Sequence, residues 1–117
     1  LCCFLIIIRV FVGIFGYSGY QKPPMFGDFE AQRHWLEITT SLNIEDWYRN
    51  TNDNNLLYWG LDYPPLTAYV SYIFGIIAHY TYPDLVILHQ SRGHESLYGK
   101  IFMRTSVIIC DFIIFIP

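Results

Sequence analysis

An all-α membrane protein, the N-terminal part of a longer polytopic chain with about three membrane-spanning helices here, is the fold class predicted by three observations. Hydrophobic residues make up 53% of the chain and charged residues only 15%, which is rich in apolar surface for a soluble domain of 117 residues. The excess is concentrated in three runs, Leu1 to Gly16, Leu66 to Tyr82 and Ile101 to Pro117. Two polar, turn-rich stretches separate these runs, so spans joined by loops are the economical arrangement.

The first span is read as residues 1–16 and the third as 101–117, each shorter than the ~20 residues a bilayer crossing needs and each taken as cut by the limits of the chain. The second, 64–82, gains length from Pro64 and Pro65, which suit a first helical turn where no N–H partner is required. A secretory signal peptide is the alternative for residues 1–16, but Gly16-Tyr17-Ser18-Gly19 is a poor cleavage site. Between the first two spans, loop 17–63 holds seven carboxylates against Lys22, Arg33 and Arg49. Within it, Gly27 to Leu42 can wind as an amphipathic helix, with Phe29, Trp35, Leu36 and Ile38 available to a membrane surface and Asn43 as its stop. A helical turn over Ile44 to Arg49 follows, with Trp47 and Tyr48 as interfacial anchors. Thr51 to Asn55 reads as a turn or solvated link.

Loop 83–100 is short and carries Arg92 and Lys100, with Arg104 just inside the next span, so the Lys/Arg density predicts it as cytosolic and loop 17–63 as lumenal. Ser91 to Ser96 resembles a capped helix start and falls, on that topology, on the side opposite loop 17–63. Cys2, Cys3 and Cys110 lie in apolar runs and form no disulfide framework. The net charge of −3 leaves no basic stripe for nucleic acid.

Asp28 is the foremost candidate for chemistry. It follows Pro23-Pro24-Met25-Phe26-Gly27, a stiff approach, and precedes the amphipathic helix, where it can equally serve as the helix cap. Asp28 and Glu30 also make an acidic-x-acidic pair, but side chains two apart on a helix do not face each other, which argues against joint metal chelation. Arg33 and His34 could meet a phosphate or a sugar, although charged residues on such a helix are more often solvated. Asp62, with Tyr63-Pro64-Pro65, stands where a cap for the second span is expected. Arg104 and Asp111, seven apart and so about 10 Å along one helical face, are read as an ionic contact with each other or with spans elsewhere, because charge inside a span is costly.

Tyr17 to Tyr20, Pro23 to Trp35 and Tyr58 to Tyr69, continued by Ser91 to Ser96 and Phe102 to Thr105, closely resemble the first lumenal loop of the dolichyl-phosphate-glucose-dependent alpha-1,3-glucosyltransferases of the endoplasmic reticulum. The resemblance covers nearly the whole chain. Within the family, the wording of Met25 to Trp35 favours the branch that adds the first glucose to the lipid-linked nine-mannose oligosaccharide over the sister branch that adds the second.

That resemblance implies a multi-pass GT-C fold in the endoplasmic reticulum membrane, longer than this chain. It implies a direct inverting transfer of glucose from dolichyl phosphate glucose to a dolichyl-pyrophosphate-linked oligosaccharide. Asp28 would be the general base, and Glu30, Arg33, His34, Asp62 and Tyr63 would bind or position substrate. Dolichyl phosphate needs no general acid, so neither a metal nor another cofactor is implied. The rival class is a non-catalytic membrane scaffold, which accounts for the spans but not for the acidic, aromatic, proline-bracketed loop.

Overall fold

The computed structural model describes residues 1–115, and every regular element among them is helical. Four α-helices follow in order: α1 Cys2–Ile14, α2 Asp28–Ser41, α3 Pro65–Thr81 and α4 Leu97–Phe115. Single 3-10 turns at Ile44–Asp46 and Pro83–Leu85 lie between them. No helix among the described residues is long and apolar enough to cross a membrane. Helix α1 has 13 residues, and α4, with 19, carries Lys100, Arg104 and Asp111.

The helix ends follow local chemistry. Helix α2 stops where Leu42 turns extended, one residue before Asn43, and the Leu42 N–H still donates to the Ile38 carbonyl at 2.9 Å. Helix α3 opens with Pro65 in its first turn, and its cap position is Pro64. Asp62 therefore lies outside the helix and is no cap, contrary to expectation. Ser96 does cap α4, its Oγ accepting the Gly99 N–H at 2.9 Å.

Helices α2 and α3 pack against each other closely. Helix α3 turns Ala68, Ser71, Gly75 and Ala78 inward, a stripe of small residues three and four apart. A Cβ on Gly75 would stand 2.0 Å from Thr40 Oγ1 and 2.8 Å from the Leu36 carbonyl oxygen, so only glycine allows this approach. The opposite face of α3 leaves Leu66, Tyr69, Ile73, Ile77 and Tyr80 exposed.

One core gathers Ala31, Trp35, Ile38, Trp47, Leu61 and Ala68. A second joins Leu36 and Ala78 to Leu85, Val86 and Met103. Trp47, expected at a membrane interface, is buried instead, with its ring 5.7 Å from those of Tyr69 and Tyr72. Thr51 to Asn55 is a built turn rather than a solvated link. Asn54 is fully buried, and its Nδ2 donates to the carbonyls of Asp46 and Trp47 at 2.8 and 3.1 Å.

Helices α1 and α4 run antiparallel. Lys100 Nζ donates to the Ile14 carbonyl at 2.8 Å, the Arg104 stem passes Gly13, and Arg9 meets Asp111 at 2.9 Å. This order has a topological consequence. The end of α1 and the start of α4 are neighbours, so the chain between them leaves and returns at the same end of the pair. Loop 83–100 accordingly packs on loop 17–63: the Gln21 N–H donates to Glu95 Oε1 at 2.6 Å and Arg92 lies 4.4 Å over the Tyr58 ring. Two loops expected on opposite sides thus touch each other. Asp111 pairs with Arg9 of α1 rather than with Arg104.

The packing at Gly75 can be tested directly. Gly75→Ala would force α3 away from the backbone of α2, and overpacking of this kind costs about 1–3 kcal/mol. Thermal unfolding of the full-length protein should show a lowered midpoint, whereas Ile73→Ala on the exposed face should leave it nearly unchanged.

Candidate functional site

Asp28 is the first residue of α2, and Gly27 holds the cap position with φ 105°, a conformation that favours glycine. A Cβ on Gly27 would lie 3.0 Å from the Gly19 Cα, so the Tyr17–Gly19 turn rests directly on the approach to the helix. Tyr17 stacks on Phe29 with ring centroids 3.9 Å apart and 22° between planes, fixing the same corner. Asp28 itself is exposed. It lines a cleft of about 170 Å³ with Tyr17, Ser18, Gln32, Arg104 and the apolar side chains of Phe29, Met103 and Val107.

The remaining charged residues of α2 lie inside the protein, which overturns their reading as a solvated face. Arg33 has no exposed surface. Its Nε and Nη2 each donate to one oxygen of Glu30 at 2.7 Å, a two-pronged pair, and Nη2 also meets Glu37 Oε2 at 2.7 Å. Nη1 donates to the Leu85 carbonyl at 2.8 Å. Glu30 Oε1 accepts the Tyr58 hydroxyl at 2.8 Å, and Glu37 Oε1 accepts the His89 backbone N–H at 2.8 Å. His34, also buried, lies 3.5 Å from Glu37 and edge-on to Tyr58.

The electrostatics follow from this enclosure. Burial alone would lower the affinity of Arg33 for its proton, but the hydrogen bonds and charge of Glu30, with Glu37 behind, hold its pKa above the usual value. Burial would raise Glu37, yet contact with His34 and the Arg33 charge keep its carboxyl below the ordinary carboxylate range. Desolvation and the hydrogen bond to Glu30 push the Tyr58 hydroxyl well above its usual pKa. Burial, with the Arg33 charge nearby, lowers His94.

Of the residues singled out in the sequence, the structure leaves Asp28, Asp62 and Tyr63 open and encloses Glu30, Arg33 and His34. Asp28 and Glu30 occupy different environments, one in the cleft and one bound to Arg33 and Tyr58, so they do not form a two-carboxylate chelate. Tyr63 packs its ring 5.3 Å from Trp35, while its carbonyl accepts the Tyr48 hydroxyl at 2.7 Å. Asp62 sits beside this pair on the exposed approach to α3. Sequence reasoning missed that Arg104 reaches the Asp28 cleft. Its position in the third apolar run gave no sign that α4 would return beside the Tyr17–Gly19 turn.

A helical protein with one open carboxylate at a stiffened helix start, braced by a buried charge cluster, is the class that fold and site define. Residues 5–117 match the ALG6, ALG8 glycosyltransferase family, and the chain belongs to it. The probable dolichyl pyrophosphate Man9GlcNAc2 alpha-1,3-glucosyltransferase of Dictyostelium discoideum is 56% identical over 112 residues, 96% of this chain and 22% of that protein. The dolichyl pyrophosphate Man9GlcNAc2 alpha-1,3-glucosyltransferase of Gallus gallus is 57% identical over 110 residues, 94% of this chain and 22% of its own length. The probable enzyme of that name from Arabidopsis thaliana is 58% identical over 114 residues, 97% of this chain and 21% of its own. The chain thus spans about a fifth of the curated relatives it matches.

The charge cluster makes a stability prediction. Arg33→Met removes the cation that is bonded to both Glu30 and Glu37 and strands two buried carboxylates, a change that costs about 3–5 kcal/mol. Folded yield and unfolding midpoint of the full-length protein should fall sharply, and Arg92→Met, on the exposed rim, should cost far less.

Proposed function

We propose that this chain carries the catalytic carboxylate of an enzyme that transfers glucose from dolichyl phosphate glucose to a dolichyl-pyrophosphate-linked high-mannose oligosaccharide, adding the first alpha-1,3-linked glucose. The observation that carries the reading is the contrast between Asp28 and its neighbours. Glu30 and Glu37 are paired with Arg33 in the interior, whereas Asp28 is presented to a cleft on a rigid element and makes no ion pair among the described residues. The names of the relatives supply the acceptor, a Man9GlcNAc2 dolichyl pyrophosphate.

In the reaction, the acceptor mannose hydroxyl attacks the anomeric carbon of glucose from the face opposite the phosphate. The new C–O bond forms as the bond to phosphate oxygen breaks, and its electron pair leaves with dolichyl phosphate. The hydroxyl proton passes to the Asp28 carboxylate, the general base. Asp62 and Tyr63 stand exposed at the start of α3, placed to position a sugar, with Trp35 supporting the Tyr63 ring. Glu30, Arg33 and His34 act through the frame that fixes Asp28.

The same reading places the protein in the endoplasmic reticulum membrane. The side chains of α1 and of the second half of α4 are largely exposed and apolar, which suits a lipid-facing antiparallel pair. Residues 17–96 then form one unit on the lumenal face, with the aromatic, aliphatic outer side of α3 resting at the interface. On this reading α3, packed against α2, rests on the membrane surface rather than within it.

Asp28→Asn in the full-length enzyme keeps size and polarity but cannot accept the proton. It should leave abundance near normal and lower glucose transfer from dolichyl phosphate glucose by ~10²–10⁴-fold. Asp62→Asn should have a milder effect. Near-normal turnover in Asp28→Asn together with abolished turnover in Asp62→Asn would reverse the two roles.

A further inference from the structure

Arg104 is the one cationic residue lining the Asp28 cleft among the described residues. Its stem passes Gly13 of α1, where an added Cβ would lie 3.8 Å from Arg104 Cγ. Its Nε is shut off from solvent and has no hydrogen-bond partner among the described residues. Asp111, its expected partner, meets Arg9 instead, and Asp28 makes no ion pair with Arg104 although both line the cleft. Tyr17, Ser18 and Gln32 add neutral polar groups. A partly buried arginine whose Nε lacks a partner is incomplete until an anion arrives, and a phosphate suits its donor fork.

The surroundings say what kind of phosphate. Gln32, Met103 and Val107 also line a neighbouring, mainly apolar groove of about 310 Å³ that extends between α2, α3 and α4 to Asp111, with Phe74, Val70 and Leu36 on its walls and Ser71 and Ser106 among them. A phosphate seated at Arg104 would thus have an apolar channel beside it, fitting a lipid-linked phosphate better than a free one.

We propose that Arg104 binds the phosphate of a lipid-linked sugar and stabilises the charge it gains as the leaving group, which rests on Asp28 being the general base. The geometry of an in-line displacement agrees. With base and acceptor oxygen about 3 Å apart, and that oxygen about 3 Å from the anomeric carbon, the phosphate lies beyond the sugar from the carboxylate. Anion and cation must then share one cleft without touching each other. As the bond to the phosphate oxygen breaks, the added negative charge develops next to the guanidinium.

Two phosphates could sit there, the donor monophosphate or the acceptor pyrophosphate, and kinetics on the full-length enzyme in lipid vesicles separate them. Arg104→Gln should raise the KM for dolichyl phosphate glucose and weaken inhibition by the product dolichyl phosphate, each by about 10- to 100-fold. The acceptor KM should stay as it is. Arg104→Lys, which keeps charge and stem, should recover part of both effects. Because Arg104→Gln also alters the α1–α4 contact, Gln32→Glu provides a second route: a carboxylate added to the cleft wall should weaken dolichyl phosphate inhibition with Arg104 intact. Unchanged donor KM and product inhibition in both variants would overturn the proposal. A rise confined to the acceptor KM would overturn the donor assignment in favour of the pyrophosphate. Asp28→Asn should still be inhibited by dolichyl phosphate, at or below the wild-type concentration, so an active Asp28→Asn enzyme would refute the general base without touching the Arg104 result.

Discussion

A guanidinium without exposed surface must find its hydrogen bonds inside the protein, and Arg33 finds them on segments far apart in the chain. Glu30 and Glu37 hold it from within α2, and the Leu85 carbonyl holds it from beyond α3. Glu37 in turn takes the His89 N–H, and Glu30 takes the Tyr58 hydroxyl. One helical turn on either side of Arg33 thus ties residues 58, 85 and 89 to the same point. A buried cluster of this kind adds little net stability over a well-packed apolar core, but removing one member is costly, so it fixes which segments lie together.

What it fixes matters for the cleft. Once Leu85 and His89 are bonded to α2, the segment leading into α4 starts beside loop 17–63, and α4 must run back along α1. Lys100, Arg104 and Asp111 then meet Ile14, Gly13 and Arg9 in reverse order. Arg104 is brought to the Tyr17–Gly19 turn, and so to Asp28. The open carboxylate depends equally on the closed ones. Because Glu30 is taken up by Arg33 and Tyr58, Asp28 stands as the carboxylate facing the cleft.

Much of this was legible in the residues. The stiff Pro23–Gly27 approach, the helix over Asp28–Ser41, the prolines opening α3 and the Ser96 cap all follow from local rules, and the family shows in long, unusual strings. The pairing of loops was not. Hydropathy cannot distinguish a helix covered by lipid from one covered by protein, and the small-residue stripe of α3, Ala68, Ser71, Gly75 and Ala78, is the signal that would have pointed to α2. Charge patterning likewise misled at Arg33 and His34. Arg33 and Glu37, which look solvated on a helix wheel, are buried here because their partners, Leu85 and His89, are more than 50 positions away. Arg9 was passed over as Asp111's partner for the same reason, since contacts between helices leave no mark on spacing within one.

The arrangement of 17–96 as one unit on one face is the claim on which the cleft, the Asp28 assignment and the Arg104 proposal all stand. Glycosylation mapping of the full-length protein in microsomes tests it most directly. Leu57→Thr completes an Asn-x-Thr acceptor at Asn55 in the first loop, and His89→Asn, at a residue already in the left-handed region that Asn tolerates, completes an Asn-x-Ser acceptor with Ser91 in the second. Modification of both variants is the result expected here. Modification of the first without the second would put the loops on opposite faces and contradict the account.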